Sequence, residues 1–217
     1  MTHMKLYSDQ VSPFAARVRL SLMYKGLEFE DLGLPVGGLK GEEYLRINPM
    51  GRIPVMVLDD QTVIPESETI LDYLEDSYPQ PALRLANAAR NAAMRTVIRV
   101  LDNYVSPPLI RLFSHLDPHK RVAVLANVEC EKLRDGLGYL DRYVDDAPYA
   151  VDGRLTLADC CLLPSLWLCN IIAPQFGIDQ PLVVTPRLAG YLQKAKSVPL
   201  LGQVHEELVE AYKSYVH

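Results

Sequence analysis

Met4-Lys5-Leu6-Tyr7-Ser8, then Val11-Ser12-Pro13, then Phe14-Ala15-Ala16-Arg17-Val18-Arg19-Leu20-Ser21-Leu22-Met23-Tyr24-Lys25-Gly26 is the stretch that decides the fold. The first segment reads as a short buried strand. Ser12-Pro13 is a helix-start pair, a hydroxyl at the N-cap and a proline at the first helical position, and Gly26 is a helix stop. The chain therefore opens strand, turn, helix.

Working outward, a second strand is expected at about 28–33, followed by a glycine-rich loop and a short helix near 41–47. Pro54–Leu58 and Thr62–Ile64 flank Asp59-Asp60-Gln61 as a β-hairpin. Ser67–Asp76 follows as a helix, stopped by Tyr78-Pro79-Gln80-Pro81. The order βαβαββα implies a mixed sheet covered by helices. Beyond about residue 82 strand signals vanish. Met94, Val97, Ile98, Leu101 and Val105 keep helical spacing until Pro107-Pro108, and Leu133, Leu137, Leu140 and Val144 do so again. Leu157 to Ala173 is apolar nearly all round but carries Asp159, Pro164 and Asn170 and falls short of the ~20 residues that span a bilayer, so it reads as a central buried helix. Thr156-Leu157-Ala158-Asp159 has capping-box spacing. Segments around Arg187–Ala195 and Leu200–Tyr215 read as two further amphipathic helices.

At 217 residues, 49% hydrophobic and 23% charged, the chain can bury a substantial core in one or two domains. A net charge of −5 supplies no broad basic surface, which argues against direct nucleic-acid binding. The N-terminal residues lack a charged region followed by an apolar run, so no secretory signal and a cytoplasmic location are expected. Cys130, Cys160, Cys161 and Cys169 have no metal-ligand or Cys-x-x-Cys spacing and read as buried free thiols. The five histidines form no metal array.

Three clusters, Ser12-Pro13, Arg52-Ile53-Pro54 and Glu66-Ser67, fall at or near strand–helix junctions. Such junctions expose unpaired N–H groups, and a serine, a base and a carboxylate beside them could hold a small zwitterionic, thiol-bearing ligand. Ser12 is either a plain cap or a donor to a thiolate. Lowering a thiol pKa by ~2 units from ≈ 8.5 needs roughly 2.7 kcal/mol of preference for the anion. One charge-assisted hydrogen bond, about 1.5–3 kcal/mol, plus a helix terminus, about 0.3–1 kcal/mol, has that size. Ser67 alone is most simply an N-cap, whereas Glu66 could accept from an ammonium beside the helix donors. Statistics favour a trans bond at Ile53-Pro54. A cis bond would turn the neighbouring backbone to a ligand, with Arg52 and Lys40 near its carboxylate.

Ser12-Pro13-Phe14…Arg17-Val18-Arg19, Asn48-Pro49…Arg52-Ile53-Pro54-Val55 and Pro65-Glu66-Ser67…Ile70…Tyr73-Leu74 together resemble the cytosolic glutathione transferase superfamily, serine type, along the whole chain. The resemblance implies an α/β plus all-α architecture: a thioredoxin-like glutathione-binding domain over 1–80, a linker over 81–87 and a helical domain over 88–217. It implies that Ser12 stabilises the thiolate, that Val55 pairs through its backbone with the cysteinyl part after a cis Pro54, that Glu66 and Ser67 hold the γ-glutamyl end, that Arg52 and Lys40 lie near the glycyl end, and that Ile53 is among the glutathione-binding residues. It further implies glutathione as co-substrate with no metal, a homodimer, and an apolar electrophile pocket for which Phe14, Tyr104, Pro108, Arg111, Leu112, His115 and Trp167 are candidates. No membrane or nucleic-acid partner is implied. Val11-Ser12-Pro13-Phe14 stands where zeta-type relatives carry Ser-Ser-Cys, which argues against maleylacetoacetate isomerase activity. The alternative is a non-catalytic protein of the stringent starvation type that binds RNA polymerase, since Leu157–Trp167 resembles the matching helix of those proteins.

Overall fold

The computed structural model describes residues 4–119 and 121–216. The N-terminal residues read for a leader, and the outermost ends of the two expected domains, lie outside the described residues. The chain divides into two compact units, one reaching to Leu83 and resuming at Gln203, the other Arg84–Gly202. The sequence reading instead places 203–217 with the helical domain and treats 81–87 as a linker. In that segment Leu83 and Leu85 are buried, and the Leu83 N–H donates to the Glu75 carboxylate at 3.1 Å. Burial and a hydrogen bond anchor it.

The first unit contains β1 (Met4–Tyr7), α1 (Pro13–Lys25), β2 (Phe29–Gly33), α2 (Glu42–Ile47), β3 (Val55–Val57), β4 (Val63–Pro65) and α3 (Ser67–Ser77). The sheet order is β2-β1-β3-β4, with β1 parallel to β2 and the other pairs antiparallel, so the expected mixed sheet is present. β1 alternates: Met4 and Leu6 are buried while Lys5 is exposed, so the strand covers a core with one face only. Met4, Leu6, Val18, Leu22, Met56, Leu58, Ile70 and Leu74 form that core between the sheet and α1 and α3. α1 is buried on most of its faces, Arg17, Arg19 and Lys25 included. Gly26 closes it at φ 63°, a left-handed conformation in which glycine has no Cβ to clash.

The second unit contains α4 (Ala88–Val100), a π-helical turn (Leu101–Val105), α5 (Ser106–Phe113), α6 (Ala123–Asp141), α7 (Leu157–Ile172), a 3₁₀ turn (Ala173–Phe176) and α8 (Pro186–Ala195). α9 (Pro199–Val216) ends the described chain. Pro107-Pro108 does not end the helix, contrary to the sequence reading. The π turn lies just ahead, and the prolines fall in the first turn of α5, where missing N–H donors cost little. α6 packs against the π turn, and a Cβ on Gly136 would come within 2.2 Å of the Tyr104 carbonyl oxygen. Gly136→Ala should therefore force the two helices apart and cost about 1–3 kcal/mol, measured as a lower denaturation midpoint, whereas Gly138→Ala, with open space around it, should be tolerated.

α7 and its 3₁₀ extension reach 20 residues, long and apolar enough to cross a membrane, but 83% of the apolar window is buried inside the protein. It is the core helix of its unit. All four cysteines are free and buried, and burial pushes the Cys169 thiol up to about 12.

Candidate functional site

Sheet register decides which loops meet. Gly33 lies opposite Tyr7, Tyr7 opposite Val55 and Val55 opposite Pro65, one row across all four strands. At that row β1 and β2 end, β3 begins and β4 ends. The Ser8–Ser12 turn, the loop carrying Lys40, the Arg52-Ile53-Pro54 entry and Glu66-Ser67 therefore all leave the same edge of the sheet. α1 and α3, packed against each other, start there as well, so two positive helix ends flank the edge.

Ser12 caps α1: its Oγ accepts from the Ala15 N–H at 3.3 Å, a long bond that leaves the hydroxyl proton available. Pro13 is buried and Phe14 half-buried, with the Arg17 guanidinium 4.7 Å from the centre of its ring. The turn is braced from two sides. Arg19 donates to the carbonyls of Asp9 (3.2 Å) and Gln10 (3.0 Å), while the Asp31 carboxylate in the middle of β2 accepts from Ser8 Oγ (2.9 Å) and Gln10 Nε2 (2.9 Å). Burial lowers the Arg19 pKa, against the opposing pull of Asp31, Glu207 and Asp9. The sequence reading missed these braces. Ser8 and Asp31 are 23 residues apart, and no local spacing relates them.

The Ile53-Pro54 bond is cis, against the statistics and in line with the resemblance. Gln80-Pro81 is cis as well, which nothing in the sequence reading anticipates. The Arg52 carbonyl accepts from Tyr44 Oη at 2.7 Å and Asn48 Nδ2 at 2.8 Å, which fixes the backbone entering β3. Burial pushes the Tyr44 phenol up to about 12. Pro54 and Val55 are buried, Ile53 is half-buried and the Arg52 side chain is exposed. Lys40 donates to the Met50 carbonyl at 3.0 Å and lies over Gly51, where φ is 56° and a Cβ would come within 2.5 Å of the Leu39 carbonyl. Only glycine combines that conformation with that approach.

Glu66 is exposed and holds φ at 68°, a conformation that costs a non-glycine residue about 1–3 kcal/mol and persists only where the surroundings impose it. Ser67, next in the chain, is buried at the start of α3. A carboxylate in open solvent thus stands directly before a helix N-terminus.

In the second unit Tyr104 is exposed and meets Tyr139 edge to face at 5.7 Å. Arg111 pairs with Glu129 at 2.7 Å, and Lys132 reaches the same carboxylate at 2.9 Å. Burial raises the Glu129 pKa, but the hydrogen bonds from Lys132 and Arg111 outweigh it and hold the carboxyl below its usual value. Pro108, Leu112 and Trp167 are buried in the core of the unit. His115 is half-buried, and its Nδ1 has no hydrogen-bond partner among the described residues. Among the described residues no cluster of His, Cys, Asp or Glu could hold a metal ion.

Residues 6–82 match the glutathione S-transferase N-terminal domain family and 123–194 the C-terminal domain family. The chain belongs to the glutathione S-transferase family. Among its relatives is a maleylacetoacetate isomerase of Pseudomonas aeruginosa, 30% identical over 213 residues, spanning 93% of this chain and 95% of that protein. A stringent starvation protein A homolog of Pasteurella multocida is 26% identical, over 81% of this chain and 77% of that one. The fold matches that of a glutathione S-transferase from Methylobacterium radiotolerans, solved in complex with glutathione sulfonate, at a TM-score of 0.79 and 24% identity over 93% of this chain and 94% of that one.

Proposed function

We propose that the protein is a glutathione-dependent transferase of the serine type, which binds glutathione at the common edge of the sheet and presents its sulfur as a thiolate to an electrophilic small molecule. The observation that supports this reading is the register row Gly33–Tyr7–Val55–Pro65, at which the turn carrying Ser12, the entry to β3 and the Glu66-Ser67 junction leave the sheet beside the starts of α1 and α3. Ser12 donates its hydroxyl proton to the sulfur. Val55 and Ile53 offer backbone to the cysteinyl part, with Pro54 between them. Glu66 takes the γ-glutamyl ammonium and Ser67, with the start of α3, its carboxylate. Arg52 and Lys40 attract the glycyl carboxylate.

The chain forms no covalent bond to substrate in this scheme. Its contribution is to favour the anion by charge-assisted hydrogen bonding and to hold it in one orientation. Phe14 lies beside Ser12 on the same turn and marks the apolar direction in which the electrophile approaches. In the helical unit, taken by itself, Tyr104 and Arg111 are exposed and His115 is half-buried, so these side chains keep surface that a small molecule could meet, whereas Pro108, Leu112 and Trp167 are held in the core. Four free thiols suit a reducing, cytoplasmic setting, and a homodimer is the expected assembly.

Ser12→Ala should leave glutathione binding within about threefold, raise the bound thiol pKa, and lower kcat about 10- to 100-fold, the size of one hydrogen bond to a charged acceptor. Calorimetry and thiolate absorbance measure the first two. Absence of glutathione binding in the unaltered protein would reject this reading in favour of the polymerase-binding one.

A further inference from the structure

We propose that Arg19 is a positioning residue for the Ser12 hydroxyl, acting through the backbone of the turn between β1 and α1. This rests on the reading of Ser12 as the thiolate donor. Arg19 is 5% exposed, and a guanidinium taken so far out of water needs strong partners. Its two terminal nitrogens are spent on the backbone carbonyls of Asp9 and Gln10, at 3.2 and 3.0 Å. The Asp9 carbonyl is also the acceptor of the Ser12 N–H, at 3.0 Å. One oxygen thus links the buried cation to the backbone of the serine.

The opposite side of the turn is tied to β2. Asp31 accepts from Ser8 and Gln10 and also from the Gly33 N–H at 3.0 Å, and the Asp9 carboxylate accepts from the Val11 N–H at 3.0 Å. Arg19, on α1, reaches two successive carbonyls of the turn. A planar fork spans two neighbouring acceptors, whereas an ammonium is a single point. A hydroxyl must be placed within about 0.5 Å to favour a thiolate, and without Arg19 the turn keeps only its ties to β2 and the cap bonds of Ser12 to Ala15 and Ala16, which lets Ser12 Oγ shift by more than that tolerance.

The test compares Arg19→Met, Arg19→Lys, Ser12→Ala and the double variant Ser12→Ala/Arg19→Met in the full-length protein, reading kcat, the glutathione KM and the pKa of bound glutathione. Arg19→Met should lower kcat about 10- to 100-fold and raise the bound thiol pKa by about one unit, with KM changed less than about threefold. Arg19→Lys, which keeps the stem and one donor direction, should recover part of both. In the Ser12→Ala background Arg19→Met should move the thiol pKa no further, because Arg19 acts through Ser12. An unchanged thiol pKa in Arg19→Lys, and in Arg19→Met where that variant folds, would overturn the proposal. So would full additivity in the double variant, since Arg19 would then act on the sulfur directly. Glutathione binding with a thiol pKa indifferent to Ser12→Ala would instead reject the role of Ser12 itself, a separate failure.

Discussion

Replacing Asp159 by alanine is expected to cost about 3–5 kcal/mol and to bring the protein close to unfolding at ambient temperature. Asp159 stands in the first turn of α7, fully buried, and its carboxylate accepts three hydrogen bonds: from the Ala150 N–H at 2.7 Å, the Thr156 N–H at 2.8 Å and the Thr156 hydroxyl at 2.9 Å. Truncation leaves all three donors in the interior without an acceptor, at roughly 1–3 kcal/mol for each that finds no other partner. Urea unfolding of Asp159→Ala against the unaltered protein measures the loss. A change under about 1 kcal/mol would show that other groups or water satisfy those donors.

The same carboxylate gives a pH dependence of known sign. Burial raises its pKa from 3.8 to about 6, while the hydrogen bonds from Ala150 and Thr156, and the nearby Tyr191, pull in the opposite direction and lose. A carboxyl whose folded pKa lies above its unfolded one contributes stability that is fully present below about 3.8 and is lost as the pH rises through about 6. The stability difference between the unaltered protein and Asp159→Asn should accordingly shift in favour of the unaltered protein as the pH falls from about 7 to about 4.

Glu75→Ala is the second large effect, about 3–5 kcal/mol, because it strands a buried ammonium. Lys25 at the end of α1 and Glu75 near the end of α3 meet at 2.6 Å with side-chain exposures of 0% and 3%. The three protons of Lys25 are matched by Glu75, the Tyr78 carbonyl at 2.6 Å and the Pro81 carbonyl at 3.0 Å, and Glu75 also accepts from the Leu83 N–H. The pair therefore closes the first unit where the chain leaves it. Removing both charges, as Lys25→Met with Glu75→Leu, should restore part of the loss but not all, because the two carbonyls and the Leu83 N–H stay unpaired. A double-mutant cycle by urea unfolding measures the coupling, and additive losses would show that the two charges do not depend on each other.

What was readable before the structure was local. Ser12-Pro13 and Gly26 bound α1 because capping is settled within four residues, and Thr156-x-x-Asp159 announced the start of α7 for the same reason. Pro107-Pro108 misled, since a proline pair stops an α-helix in isolation but is accommodated where a π turn ends and a new helical segment starts. Glu66, Ser67, Arg52 and Lys40 are singled out as candidates by a joint pattern. Arg19 stands in the same pattern without a role, and Asp9, Asp31 and Gly51 stand outside it, because their meaning lies in what they touch.

The sequence by itself determined the order of elements in the first unit, the bounds of α1, the start of α7 and the family, since hydrophobic period, caps and motif spacing are properties of neighbouring residues. The tertiary structure alone decided that Tyr7, Val55 and Pro65 share one row, that Lys25 and Glu75 pair 50 positions apart, and that Arg19 grips the turn that carries Ser12. Strand register and buried charge pairing depend on which surfaces exclude water together, and that is fixed only when the whole chain packs.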